Sequence, residues 1–187
     1  MNRFFVQLEY DGSRYHGFQK QPKTSKTIQY NLDRALTKVA NHKISTICCG
    51  RTDAGVHAFN QFVHFDTNST RKIDSWVKGT NANLPEDIVV KNFFKVDTNY
   101  HARFDATSRE YLYVIKNANT PPAIGFNNYL WIKKSLNIEK MNKAARYLIG
   151  EKDFSAFRAS GCQSKSPIRE ITTVSYTHLR AHETIAD

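Results

Sequence analysis

Cysteine is rare in this chain. Cys48, Cys49 and Cys162 are the three present, none in a C-x-x-C pair and two of them adjacent in a strand-like run. That count and spacing exclude a disulfide framework and a zinc knuckle and leave three buried thiols as the expectation. Long apolar runs are missing too. No stretch approaches the ~18 consecutive apolar residues of a membrane span, and the N-terminal MNRFFVQLEYDG lacks the apolar core of a signal peptide, so a cytoplasmic protein is expected. Neither a repeat nor a low-complexity tract is visible, and 40% hydrophobic with 24% charged residues is an ordinary globular composition. Acidic residues are few, 17 Asp and Glu against 27 Lys and Arg, for a formal charge of +10. A polyanionic partner follows, either nucleic acid or an anionic membrane surface. A membrane-surface binder is disfavoured, because no helix combines a basic face with a large apolar one. At 187 residues the chain makes one domain or two small ones.

Apolar alternation at Phe4, Val6 and Leu8 before Asp11-Gly12 predicts a strand over 3–10. Thr27 can cap a helix whose Ile28, Leu32, Ala35, Leu36 and Val39 share one face. Strands are expected at Ile44 to Cys49, Gln61 to Phe65 and Asp87 to Val96, with a second helix over Lys72 to Gly79. The order strand, helix, strand, strand, helix, strand matches a ferredoxin-like unit, a four-stranded antiparallel sheet with both helices on one face. The pattern then restarts with a strand at Thr107 to Lys116, a loop holding Pro121-Pro122 and Gly125, a helix from Ile138 to Ile149 ended by Gly150, and a strand at Arg169 to Val174. Met141, Ala145 and Leu148 give that helix a core face.

The most unusual stretch is Gly50-Arg51-Thr52-Asp53-Ala54-Gly55-Val56-His57-Ala58, between two strands. It sets a lone carboxylate in a tight, Gly-flanked loop with a guanidinium two residues away. By local chemistry alone Asp53 is either a turn residue bonding its own backbone or a catalytic carboxylate. The loop is not a phosphate-binding P-loop, since it lacks the Lys and the following helix. His57, His64 and His101 have no metal-ligand spacing, and His64 reads as packing inside a strand. Tyr15, His16, Phe18 and Gln19 lie among Arg14, Lys20 and Lys23, a basic and aromatic mixture suited to base stacking and phosphate contact.

Gly50 to Ala58 resembles the GRTDAGVHA signature of the tRNA pseudouridine synthase A family. Three further motifs support the likeness: Tyr10 to Gln19, Ala102 to Ala106 running into Arg109-Glu110-Tyr111-Leu112-Tyr113, and Gly150 to Phe157 with Pro167-Ile168-Arg169 after it. The resemblance spans roughly residues 3 to 174 and implies an α+β fold of two ferredoxin-like half-domains. It divides the chain into 1–102, with the catalytic loop, and 103–174, an incomplete second half. It implies that Asp53 is the catalytic residue, acting in a closed pocket as nucleophile or base on a uridine extruded from tRNA at a cost of a few kcal/mol. By the same resemblance Tyr111 packs on the target base, where an aromatic on an alternating strand otherwise reads as core. Arg51 sits beside the extruded nucleotide, where the bland alternative is a surface salt bridge. Neither metal nor cofactor is implied. The implied partner is the anticodon arm of tRNA, at tRNA positions 38 to 40, bound by a homodimer. The competing class is a non-catalytic ferredoxin-like RNA-binding module, which explains charge and element order but not the Gly50 to Ala58 motif.

From Ser175 to Asp187 the sequence no longer resembles the family and is similar to a translated sequencing-adapter tail. On that reading 175–187 is non-native, Val174 is near the last genuine residue, and the remainder carries a surplus of +11. The family's later basic and apolar pocket residues are then missing, so weak or no turnover is expected from this chain. The exposed edge of a half-built sheet would also make it prone to aggregate.

Overall fold

A computed structural model describes residues 1–158 and 166–177. It divides into two compact units, Met1–Tyr111 and Leu112–Asp187. In the first, β1 (Asn2–Tyr10), α1 (Ile28–Ala40), β2 (Ile47–Cys48), β3 (Ala58–Thr67), α2 (Ile73–Asn81) and β4 (Ile88–Val96) follow in the expected order. The sheet order is β2-β3-β1-β4 with every neighbouring pair antiparallel, which is the ferredoxin-like topology.

Alternation builds the core. Phe4, Val6, Leu8 and Tyr10 of β1 and Val63 and Phe65 of β3 point to one face, where Ile28, Leu32 and Leu36 of α1 and Trp76 of α2 cover them. Trp76 is fully buried against Phe4, Phe65 and Phe93, with ring centroids 5.5 to 5.8 Å apart. On β4 the inward series runs Ile88, Val90, Phe93 and breaks the period of two, because the pairing with β1 shifts between Gln7 and Leu8. Lys91, at the shift, turns outward to Glu9, 2.6 Å away. The Thr27 hydroxyl accepts from Tyr30 N–H to open α1, and Asn41, at φ 60°, closes it.

Two strands are shorter than the sequence pattern suggests. Only Ile47 and Cys48 pair with β3, not Ile44 to Cys49. The Ile44 N–H donates to Thr37 Oγ1 and the Thr46 N–H to the Asp33 carboxylate, so this stretch spends its donors on α1 side chains rather than on a strand. Burial pushes the Asp33 carboxyl above its usual range, while its two bonds from Thr46 oppose that. The expected strand over Thr107 to Lys116 is likewise reduced to its end, β5 (Ile115–Asn117). The Val114 carbonyl accepts from Leu130 N–H at 2.9 Å, but among the described residues no strand pairs with 107–113, and alternation without a partner does not make a strand.

In the second unit β5 runs parallel to β6 (Leu130–Ile132), a strand absent from the sequence-based expectation. Helix α3 (Ile138–Ala145) is capped by Asn137 and tightens into a 3-10 turn over Arg146–Leu148. Gly150, at φ 96°, therefore opens β7 (Gly150–Asp153) instead of ending the α-helix directly, and β7 pairs antiparallel with β8 (Ile168–Ile171), not Arg169 to Val174. Tyr176, just past Val174, exchanges two hydrogen bonds with Asn142 of α3. Cys48 and Cys49 are free and half-buried, and Cys162 lies outside the described residues. Among the described residues no helix is long and apolar enough to cross a membrane.

His64 is packing, as the strand position suggests. It is 2% exposed, stacked on Phe5 and edge-on to His101, and its Nδ1 accepts from Ala102 N–H at 3.2 Å. Burial first, then the Arg3 and His101 charges, lower its pKa to about 4, against a weaker pull from Asp66. Protonation would also turn the accepting nitrogen into a donor facing a donor. The folded value lies below the unfolded 6.5, so this contribution to stability is complete above pH 6.5 and is lost as pH falls toward 4. His64→Asn, which keeps an acceptor but does not titrate, is expected to flatten that part of the stability curve. The flattening is at most ~1.4 kcal/mol per pH unit, read by urea unfolding between pH 4 and 7. Parallel curves for the two proteins would refute this.

Candidate active site

The loop bearing Asp53 leaves β2 and enters β3, and its neighbours hold it along its length. Cys49 N–H donates to Phe62 O at 2.8 Å, continuing the ladder for one residue. Gln61 Nε2 donates to Gly50 O at 2.7 Å. Phe18 N–H donates to Thr52 O at 2.9 Å, and the Tyr10 and Thr52 hydroxyls are 2.8 Å apart. Past Asp53 the chain turns, with Val56 N–H to Asp53 O at 3.2 Å and Gly55 N–H to Tyr15 O at 3.3 Å. The turn is thus made by backbone groups and not by the Asp53 carboxylate. That carboxylate is exposed to solvent, where a closed pocket was expected around it.

The stretch from Tyr10 to Phe18 buttresses this loop. Tyr15 and Phe18 are buried, 8% and 0% exposed, so neither ring is available to stack on a base as their composition suggested. The Tyr15 hydroxyl instead donates to the Asp87 carboxylate, and burial pushes its pKa well above the usual range. His16, Gln19 and Lys20 remain exposed. Two glycines permit the close approach. A Cβ on Gly12 would lie 2.0 Å from Val56 O, and one on Gly17, at φ 88°, would lie 2.8 Å from Thr52 O. Asp11 adds a side-chain contact, its Oδ1 3.1 Å from His57 Nδ1. Its bonds from Ser13, with lesser help from His57 and Arg14, hold the Asp11 carboxyl below the usual range.

Arg51 is exposed within the loop, and its charge opposes the upward push that burial gives the Cys48 thiol. Tyr111 is 79% exposed and lies on irregular chain, not on the strand assigned to it, because 107–113 has no strand partner among the described residues. Arg109, two residues before it, donates to Cys49 O at 2.8 Å and so ties its own segment to the start of the loop. Nothing in the sequence pattern assigned Arg109, Tyr10 or Gln61 to the support of this loop. A usable signal exists for Gln61, a polar residue at an inward position of β3, 8% exposed, where alternation calls for an apolar one. Among the described residues no three His, Cys, Asp or Glu side chains group to hold a metal ion. An open depression of about 690 Å³ lies by the α1 N-terminus, lined by Lys20, Lys23, Tyr30 and Asp33 among others, and includes no residue of the Asp53 loop.

The family model described as tRNA pseudouridine synthase matches residues 7–105 and 144–186, the second stretch continuing past Val174. The tRNA pseudouridine synthase A of Alcanivorax borkumensis is 44% identical over 171 residues, covering 91% of this chain and 64% of its own length. That of Shewanella amazonensis is 47% identical over 173 residues, covering 92% and 66%, and that of Buchnera aphidicola 46% over 178 residues, covering 95% and 67%. The chain thus spans just under two thirds of the length of the first two of these relatives. The matched segments include the whole clamped loop and the Tyr10 to Phe18 buttress beneath it, and on that agreement the chain belongs to the tRNA pseudouridine synthase family.

Proposed function

We propose that the protein converts uridine to pseudouridine in the anticodon arm of tRNA, with Asp53 as the reacting carboxylate and no cofactor. The observation that carries this is the exposed Asp53 side chain on a loop pinned at Gly50, Thr52 and Gly55 by fixed neighbours. In the reaction, a carboxylate oxygen bonds to C1′ of the ribose as the N1–C1′ bond breaks and its electron pair leaves with uracil. The base turns, C5 bonds to C1′, and the Asp53–C1′ bond breaks. C5 then loses its proton to solvent and N1 gains one, so product and substrate have the same composition. Tyr111 packs on the base and Arg51 touches the RNA beside it; the high exposure of Tyr111 leaves its ring free for that contact.

The basic surplus supports an RNA substrate, since phosphate contacts by Lys and Arg supply affinity that falls as salt rises. A cytoplasmic homodimer is the working form on this reading, which rests on the family resemblance. The test is tritium release from tRNA labelled at C5 of uridine, using the chain extended to its relatives' length. Release confined to anticodon-arm uridines is the expected result. Failure of the extended chain to release tritium would sink the proposal.

A further inference from the structure

Tyr10 closes the inward series of β1 and is 4% exposed, its ring tilted against Phe18 at 6.1 Å. For packing alone a phenylalanine would serve there. The hydroxyl is the additional atom, and burying one is costly unless it finds a partner. Its partners are Thr52 Oγ1, at 2.8 Å, in the residue that immediately precedes Asp53, and the Gln61 side chain. Gln61 on the adjacent strand repeats the arrangement, a buried polar side chain at an inward position that reaches Gly50 O at 2.7 Å. Two polar groups therefore stand at this end of the core, and both point into the same three residues of the loop.

Asp53 itself is exposed, and its only bond among the described residues is the backbone turn to Val56. Its direction must then be inherited from Thr52, which is held twice, at its carbonyl by Phe18 N–H and at its hydroxyl by Tyr10. We infer that the Tyr10 and Thr52 hydroxyls form a latch that sets the direction in which Asp53 leaves the loop, so that Tyr10 is a positioning residue for the reacting carboxylate. The inference rests on Asp53 being that carboxylate.

Amide hydrogen exchange of residues 50–56 in the chain reads the latch without any need for turnover. Tyr10→Phe and Thr52→Val are each expected to speed exchange there about fivefold to tenfold, the effect of one net hydrogen bond. β1 and β3 should keep their rates. The double variant should exchange no faster than Tyr10→Phe, because that change already removes the bond that Thr52→Val removes. Thr52→Ser, which retains the hydroxyl, should behave as the wild type, whereas a role limited to methyl packing would reverse the ranking of Ser and Val. In the extended, active chain Tyr10→Phe should lower kcat by a similar factor at unchanged KM. Unchanged loop exchange in Tyr10→Phe, or Thr52→Ser behaving like Thr52→Val, would overturn the latch. An extended wild type that orders the loop but releases no tritium strikes the proposed function instead.

Discussion

Asp53→Asn in the chain extended to its relatives' length is expected to release no tritium above background from C5-labelled tRNA, a fall of at least ~10³-fold, on the scale of removing an enzyme's nucleophile. The amide is nearly the shape of the carboxylate, so the comparison isolates its charge and nucleophilicity. Stability should hardly change, within about 0.5 kcal/mol, because the side chain is exposed and the turn is made by the Asp53 carbonyl and not by its carboxylate. The variant should also bind tRNA with the salt dependence of the wild type, since the phosphate contacts come from Lys and Arg. An Asp53→Asn protein that still releases tritium at the wild-type rate would remove Asp53 from the chemistry. One that unfolds with the stability of the wild type and binds tRNA normally, yet is inactive, is the result that assigns it.

The first half of the chain was legible because alternation and helical spacing agree there. Phe4, Val6 and Leu8, and Ile28, Leu32 and Leu36, are the residues that meet in the core. Where local pattern and tertiary pairing part company, the pattern misleads. Ile44 is buried as a strand residue would be, but the backbone donors at 44 and 46 go to Thr37 and Asp33. Tyr111, Leu112 and Tyr113 look like a strand yet are exposed on irregular chain, since a strand is stabilised by a neighbour that no local pattern encodes. At the site, the Asp53 motif was readable as a string, whereas its support was not. Tyr10 and Phe18 read as a strand end and a contact loop, and only the fold brings both to Thr52. Composition marks Tyr15 and Phe18 as surface aromatics, but their rings fill the space beneath the loop.

The close approach of Gly12 to the Val56 backbone explains why the smallest possible addition should do large damage. In Gly12→Ala the new methyl group would stand 2.0 Å from Val56 O and 2.6 Å from Val56 C, both backbone atoms that cannot rotate away. Relief requires one of two segments to move, and each is tied. On one side Tyr15 N–H donates to Gly12 O and Asp11 N–H to Asp87 O, both at 2.9 Å. On the other, Val56 N–H closes the Asp53 turn and the adjacent His57 pairs with Asp11. A stability loss of about 3 kcal/mol, the upper end for overpacking, is expected in urea unfolding. Because the displaced atom is the carbonyl of the residue that closes the Asp53 turn, the shift reaches the reacting carboxylate. A misplacement of about 1 Å there should cost roughly 10²-fold in kcat of the extended chain, at a temperature where the variant is still folded. The paired measurement separates two origins. Loss of stability with normal kcat would mean that the Gly12–Arg14 turn yields and the Asp53 loop stays in place, whereas loss of both identifies Gly12 as the residue that lets the buttress and the Asp53 loop share one position.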